Sequence, residues 1–282
     1  MVERSPYLTA FSHLIMVLGV IIVGFPLYLA FVASTHTAQD IVQAPMPMLP
    51  GSNFWQTYHD TLFGGGSGPG SSAPVARMMW VSFITAIVIT VGKIAISLLS
   101  AFAIVYFRFP FKGICFWLIF ITLMLPVEVR IIPTFEVMVQ LDLINTWGGL
   151  IIPLIASATA TLLFRQFFLT IPDELMEAAK IDGAGPLRFL RDVVLPLSVT
   201  NLAALFVILF IYGWNQYLWP LLVATGPHVE TIVIGIVKMI GTDAGTDWNL
   251  VMAAAMLAML PPVAVVVLMQ RWFVKGLVET EK

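Results

Sequence analysis

The sequence has little that suits chemistry in water. It holds one cysteine, Cys115, in an apolar run, so no disulfide can close within the chain. Its four histidines, His13, His36, His59 and His228, are scattered without metal-ligand spacing. Charged residues make up 11% of the chain, where a soluble domain carries about a quarter. The net charge of −2 leaves no basic face for a nucleic acid. No nucleophile–base pair is evident. The Gly-Ser stretch at Gly64–Ser72 lacks the Gly-Lys-Ser/Thr of a phosphate loop and follows no strand, so it reads as a flexible linker. No catalytic residue, metal site or ATP site is therefore assigned to this chain.

What is abundant is apolar length. The chain is 59% hydrophobic, with a mean hydropathy of +0.95. Leu8 to Ala33 carries no charged side chain. That exceeds the ~20 residues that cross hydrocarbon, and it is longer than a signal-peptide core. Further spans are expected at about 79–106, 113–133, 150–164, 198–223 and 248–270. The fold class is thus an all-α integral membrane protein with six transmembrane helices. Residues 1–33 form a tail and first span, 34–76 an external loop, 77–271 a core with five spans, and 272–282 a second tail.

Lys and Arg set the orientation. One side holds Arg4, Arg108, Lys112, Arg165, Lys180, Arg188, Arg191, Arg271, Lys275 and Lys282. The other holds only Arg77, Arg130 and Lys238. Ten against three, with Lys93 inside a span, puts both termini and the 165–196 loop in the cytoplasm.

That loop is the longest polar segment. Pro172 suits a first helical position, Asp173 and Glu174 the positive end of the helix dipole, and Gly183 a left-handed stop. Leu187, Leu190 and Val194 continue as a second apolar stripe, which Pro196 should end. A helical hairpin over 170–196 is therefore expected to protrude between two spans.

Its residues have a spacing of their own: Glu177-Ala178-Ala179, then Gly183, Val193, Leu195 and Pro196, with Asp182 before the glycine. This resembles the EAA loop of type I ABC importer permeases, although Val193 stands where isoleucine is usual. Trp214-Asn215-Gln216-Tyr217-Leu218-Trp219-Pro220 and Gln270–Leu277 are similar to the fifth span and tail of the MalG-like permeases of carbohydrate importers. Leu123–Arg130, Ser157–Thr161, Phe164–Phe168 and Glu281-Lys282 look closer to the permeases of sn-glycerol-3-phosphate importers.

The resemblance implies a permease subunit in a bacterial inner membrane, working by alternating access. A second homologous permease would complete the path. Two ATP-binding subunits carrying ATP and Mg would dock on the coupling loops, through Glu177, Ala178, Ala179, Asp182, Gly183, Leu195 and Pro196 here. A periplasmic solute-binding protein would deliver sn-glycerol-3-phosphate or a related glycerophosphodiester. The same machine importing a neutral sugar is the nearest alternative. An ion-coupled carrier or membrane enzyme is the next, but the spans carry no acidic residue at mid-depth and no inverted repeats are evident.

The polar residues in or near spans have two readings each. Lys93 lies sixteen residues past Arg77, about 24 Å along a helix. It either pairs with a carboxylate of a partner chain or gives a solute path its positive charge. Glu128 and Arg130 are either a helix end at the outer interface or part of that path. Trp214, Asn215, Gln216 and Tyr217 are either packing and interhelical glue or path lining.

Overall fold

The computed structural model describes residues 6–64, 73–124, 127–240 and 245–279. Most of the expected linker over 64–72, and the terminal Glu281-Lys282, lie outside the described residues. Among the described residues every regular element is helical. The α-helices run α1 (Pro6–Ser34), α2 (Ala38–Val42), α3 (Phe54–Phe63), α4 (Val75–Tyr106), α5 (Lys112–Met124), α6 (Val127–Gln140) and α7 (Trp147–Ile151). They continue with α8 (Ala158–Phe168), α9 (Asp173–Ile181), α10 (Pro186–Phe189), α11 (Leu195–Leu197), α12 (Val199–Trp214), α13 (Leu218–Val223), α14 (Ile232–Met239) and α15 (Trp248–Glu279).

The six expected spans all fall on helical segments, but not all are single rods. Among the described residues three helices are long and apolar enough to cross a membrane, or up to five if each of two bent pairs counts as one span. The expected 113–133 span is realised as α5 and α6, with 125–126 outside the described residues. The 150–164 span bends by 43° between Trp147–Leu154 and Ala158–Phe168. The Ser157 hydroxyl accepts the Ala160 N–H and starts α8. The 198–223 span ends its long helix at Trp214 and resumes at Leu218.

The chain forms two compact units. The first comprises Met1–Met78 and Gly235–Leu260. Here the loop after α1 is tied back to that helix. Tyr28 donates to the Met48 carbonyl at 2.7 Å, the Gly51 N–H to Thr35 Oγ1 at 2.8 Å, and the Asn53 N–H to the Thr35 carbonyl at 3.0 Å. Thr37 and Asp40 form a reciprocal capping box on α2. Thr37 holds the Asp40 carboxyl below its ordinary range by hydrogen bonding to its charged form. Most of α1, by contrast, presents its apolar side chains outward, as a helix facing lipid or another membrane protein does.

The second unit comprises Met79–Ile234 and Pro261–Lys282. One buried cluster joins Leu98 and Phe102 of α4, Phe164 and Phe168 of α8, Phe189 of α10, Leu190, Val194, and Leu205 and Leu209 of α12. A second joins Val81, Met138, Leu150, Trp219 and Val223. Gly213 lets α12 approach α4 closely: a Cβ there would meet the Ala86 Cα at 3.2 Å. Ser97 donates to the Ser157 carbonyl at 3.0 Å, and Tyr106 to the Phe168 carbonyl at 3.3 Å. These contacts fix α4 against α8, and with it the hairpin that follows.

Candidate functional site

The hairpin begins at α9. Pro172 is the N-cap, one position earlier than its sequence suggests, with an extended ψ of 139°. Asp173 and Glu174 occupy the first turn and Lys180 the last, each complementing the dipole. Gly183 has φ +72°. Its N–H donates to the Lys180 carbonyl at 3.0 Å, and the Ala184 N–H reaches the Ala179 carbonyl at 2.9 Å. This pair of bonds is a Schellman motif, which closes the helix on a residue with no Cβ to clash.

Two expectations for the returning arm need correction. Pro196 does not end it. The Leu195 N–H skips back to the Leu190 carbonyl, giving a π-turn over Leu190–Val194, and helix resumes through Pro196. The π-turn absorbs the proline's missing donor. The chain then bends by 75° at Ser198 before α12. Leu187 does not join the buried stripe either. It is 76% exposed, while Phe189, Leu190 and Val194 pack into the first cluster.

The hairpin thus has an inside and an outside. Met176 and Ala179 pack against the cluster. Glu177, Ala178, Lys180, Asp182 and Gly183 face outward. So do two large apolar side chains beside the glycine turn, Ile181 at 86% exposure and Leu187. Leu195 is half-buried and Pro196 exposed. Charge alone would not have singled out Ile181. The signal available was an aliphatic residue at the end of a polar helix, next to its glycine cap.

The second candidate region is a cavity of about 140 Å³ lined by Lys93 of α4, Arg130 and Thr134 of α6, Leu154, Tyr212 of α12 and Trp219 of α13, among others. Lys93 is only 6% exposed, and its Nζ lies 4.2 Å from the centre of the Tyr212 ring. The cavity wall is held from behind. Trp219 Nε1 donates to the Gly149 carbonyl at 2.9 Å, and Thr134 to the Arg130 carbonyl at 2.7 Å.

Of the residues named as path candidates, Lys93 and Arg130 line this one cavity. Glu128 begins α6, but its side chain lies outside the described residues. Trp214 is buried, with its ring 6.0 Å from Phe210. Asn215 caps α12, Gln216 donates to the Tyr212 carbonyl at 3.3 Å, and Tyr217 is partly exposed. None of 214–217 lines the cavity. The helix end at Asn215 redirects them, and the lining aromatics are Tyr212 and Trp219 on either side.

Comparison with known proteins agrees with this architecture. Residues 93–279 match the family described as "Binding-protein-dependent transport system inner membrane component". The chain belongs to that family. A protein named sn-glycerol-3-phosphate transport system permease protein UgpE, from Rhizobium meliloti (strain 1021), is 60% identical over 283 residues, covering 100% of both chains. A protein of the same name from Pectobacterium atrosepticum is 58% identical over 284 residues, again with full coverage of both. The fold is shared with a chain of a bacterial ABC transporter involved in the import of the acidic polysaccharide alginate. That chain has a TM-score of 0.78 and 21% identity, with 97% of this chain and 99% of that one covered.

As a member of this family the chain is an ABC-type transport permease and not an enzyme. Its two regions of interest are the outward-facing hairpin and the cavity around Lys93. The hairpin presents outward groups on a fold anchored from within, and the cavity brings the buried Lys93 and the exposed Arg130 to one lining.

Proposed function

We propose that this chain is the permease subunit of an ATP-driven importer whose solute is sn-glycerol-3-phosphate or a related glycerophosphodiester. The observation that carries the solute is the full-length identity of 60% and 58% to permeases named for it. The two cations in the cavity support an anionic cargo. A second, homologous permease completes the passage, and a periplasmic binding protein delivers the solute. The chain lies in the bacterial inner membrane with both termini in the cytoplasm. The core permease domain is the 77–271 segment.

The hairpin is the lever. Two ATP-binding subunits, which carry the ATP and Mg, seat the two hairpins of the paired permeases. In this chain Glu177, Ala178, Ala179, Asp182 and Gly183 form the contacting arm, with Ile181 and Leu187 as apolar anchors beside it. Leu195 and Pro196, in the last turn of the returning arm, pass movement into the bend at Ser198. Closure of the ATPases pushes on the hairpin and rocks the spans between outward-open and inward-open states.

The test is ATP hydrolysis by the complex of this chain, its partner permease, ATPases and binding protein in nanodiscs. Binding protein loaded with sn-glycerol-3-phosphate should stimulate hydrolysis. Stimulation by a neutral sugar such as maltose, with none by the phosphate ester, would replace the solute assigned here.

A further inference from the structure

We infer that this chain itself holds a phosphate subsite, built by Lys93, Arg130 and the Tyr212 ring. The inference rests on the solute proposed above and adds where, and in which subunit, the phosphate is held during passage.

Cost points to the site first. Lys93 is 6% exposed, and a buried ammonium is expensive unless it is paired. Its visible compensation is the Tyr212 face, 4.2 Å from Nζ. A cation–π contact offsets only part of that cost. Arg130 adds a second positive charge to the same cavity. Among the described residues neither cation has a carboxylate ion partner. Arg130 is exposed while Lys93 is buried; the two like charges on one lining repel each other, and an anion there relieves both, Lys93 the more.

The cavity's other polar groups narrow the chemistry. The Thr134 hydroxyl is committed to the Arg130 carbonyl, and the Trp219 N–H to the Gly149 carbonyl. What remains for a ligand is positive charge, an aromatic face and the Tyr212 hydroxyl. Such a site reads the phosphate of its cargo more than the pattern of its hydroxyls. A phosphate monoester, which carries up to two negative charges near neutral pH, gains more here than a singly charged diester. Holding the solute by charge alone also favours release, as passage requires.

The test is uptake of labelled sn-glycerol-3-phosphate and of glycerophosphocholine, a phosphodiester, by liposomes carrying the complete complex at saturating binding protein. Lys93→Gln and Arg130→Gln should each slow monoester uptake by about tenfold to a hundredfold, the loss expected for one charge-assisted contact. Diester uptake should fall less. Lys93→Arg should recover most of the monoester rate, because it restores the charge in the cavity.

Several results would overturn the subsite. Wild-type uptake of both solutes with unchanged rates in Lys93→Gln and Arg130→Gln removes it while leaving the proposed solute standing. Equal losses for monoester and diester, not restored by Lys93→Arg, mean that the lysine acts structurally. If Lys93→Gln no longer copurifies with the partner permease, Arg130→Gln decides alone: a selective monoester loss supports the subsite, and an unchanged rate refutes it. A wild-type complex that imports neither phosphate ester overturns the solute and the subsite together.

Discussion

The hairpin and the cavity are opposite kinds of construction. The hairpin is local: 27 consecutive residues, 170–196, turn back around Gly183, and its outward face is exposed among the described residues. The cavity is assembled from residues as far apart as Lys93 and Trp219, carried by separate helical segments. A local device depends on backbone geometry and exposed contacts. An assembled one depends on packing behind its walls. The two should therefore fail differently when mutated.

The all-or-none prediction concerns sides. A reporter fused after Gly66 should report the periplasm, and one fused after Gly185 the cytoplasm, following the Lys/Arg bias. Both reporters on one side would show that the number of spans between them is wrong.

Next in size is Ile181→Asp. Ile181 is 86% exposed and touches little of its own chain, so membrane insertion and thermal stability should hold. Burying a carboxylate in place of an apolar anchor should weaken ATPase association by roughly a hundredfold or more, read by pulldown or by biosensor titration. An unchanged affinity would move the docking face away from the glycine turn.

Trp219→Phe probes the cavity in the opposite sense. It keeps a ring but leaves the Gly149 carbonyl without the indole N–H at 2.9 Å. A loss of about 1–3 kcal/mol in the stability of the detergent-solubilised chain is expected. ATPase association should stay intact. A variant as stable as wild type would mean that the wall is not held from behind.

Gly183→Val is smaller in energy but falls on the lever. A left-handed residue costs a branched side chain roughly 1–2 kcal/mol, and a Cβ there would meet no other atom within 4 Å. The effect is thus backbone strain alone, and about a tenfold loss of uptake should follow. Gly183→Asn should lose less, because asparagine tolerates this conformation. The smallest effect belongs to Arg188→Ala. Its pair with Asp192, at 3.4 Å and exposed, should contribute under about 1 kcal/mol to stability.

The same contrast explains what was legible in the sequence. Gly183 after Lys180, and the charges of the first turn, announce the hairpin because capping is a short-range matter. Pro196 misleads, because a π-turn five residues long absorbs the missing donor and helix continues. Leu187 and Val194 look equivalent by spacing, but only packing against Phe102 and Phe164 decides which is buried. In the cavity, Lys93 is visible as a lone charge in an apolar span. Nothing in the sequence pairs it with Tyr212 across more than a hundred residues. Trp214–Tyr217, conspicuous in the sequence, fall at the end of α12 and outside the lining of this cavity. Apolar length marks the candidate spans, but it does not say that the 150–164 span bends by 43° or that α12 is preceded by a 75° bend.

The central claim is that this chain passes a phosphate ester and answers to the ATPases through one hairpin. Accumulation of labelled sn-glycerol-3-phosphate tests it most directly. The complete complex would be placed in liposomes with ATP on the hairpin side and binding protein on the other. Wild-type complex should concentrate the ester, while Gly183→Val, with every subunit still present and ATP still hydrolysed, should fall well short. Equal accumulation by the two, or none by wild type, would contradict the claim.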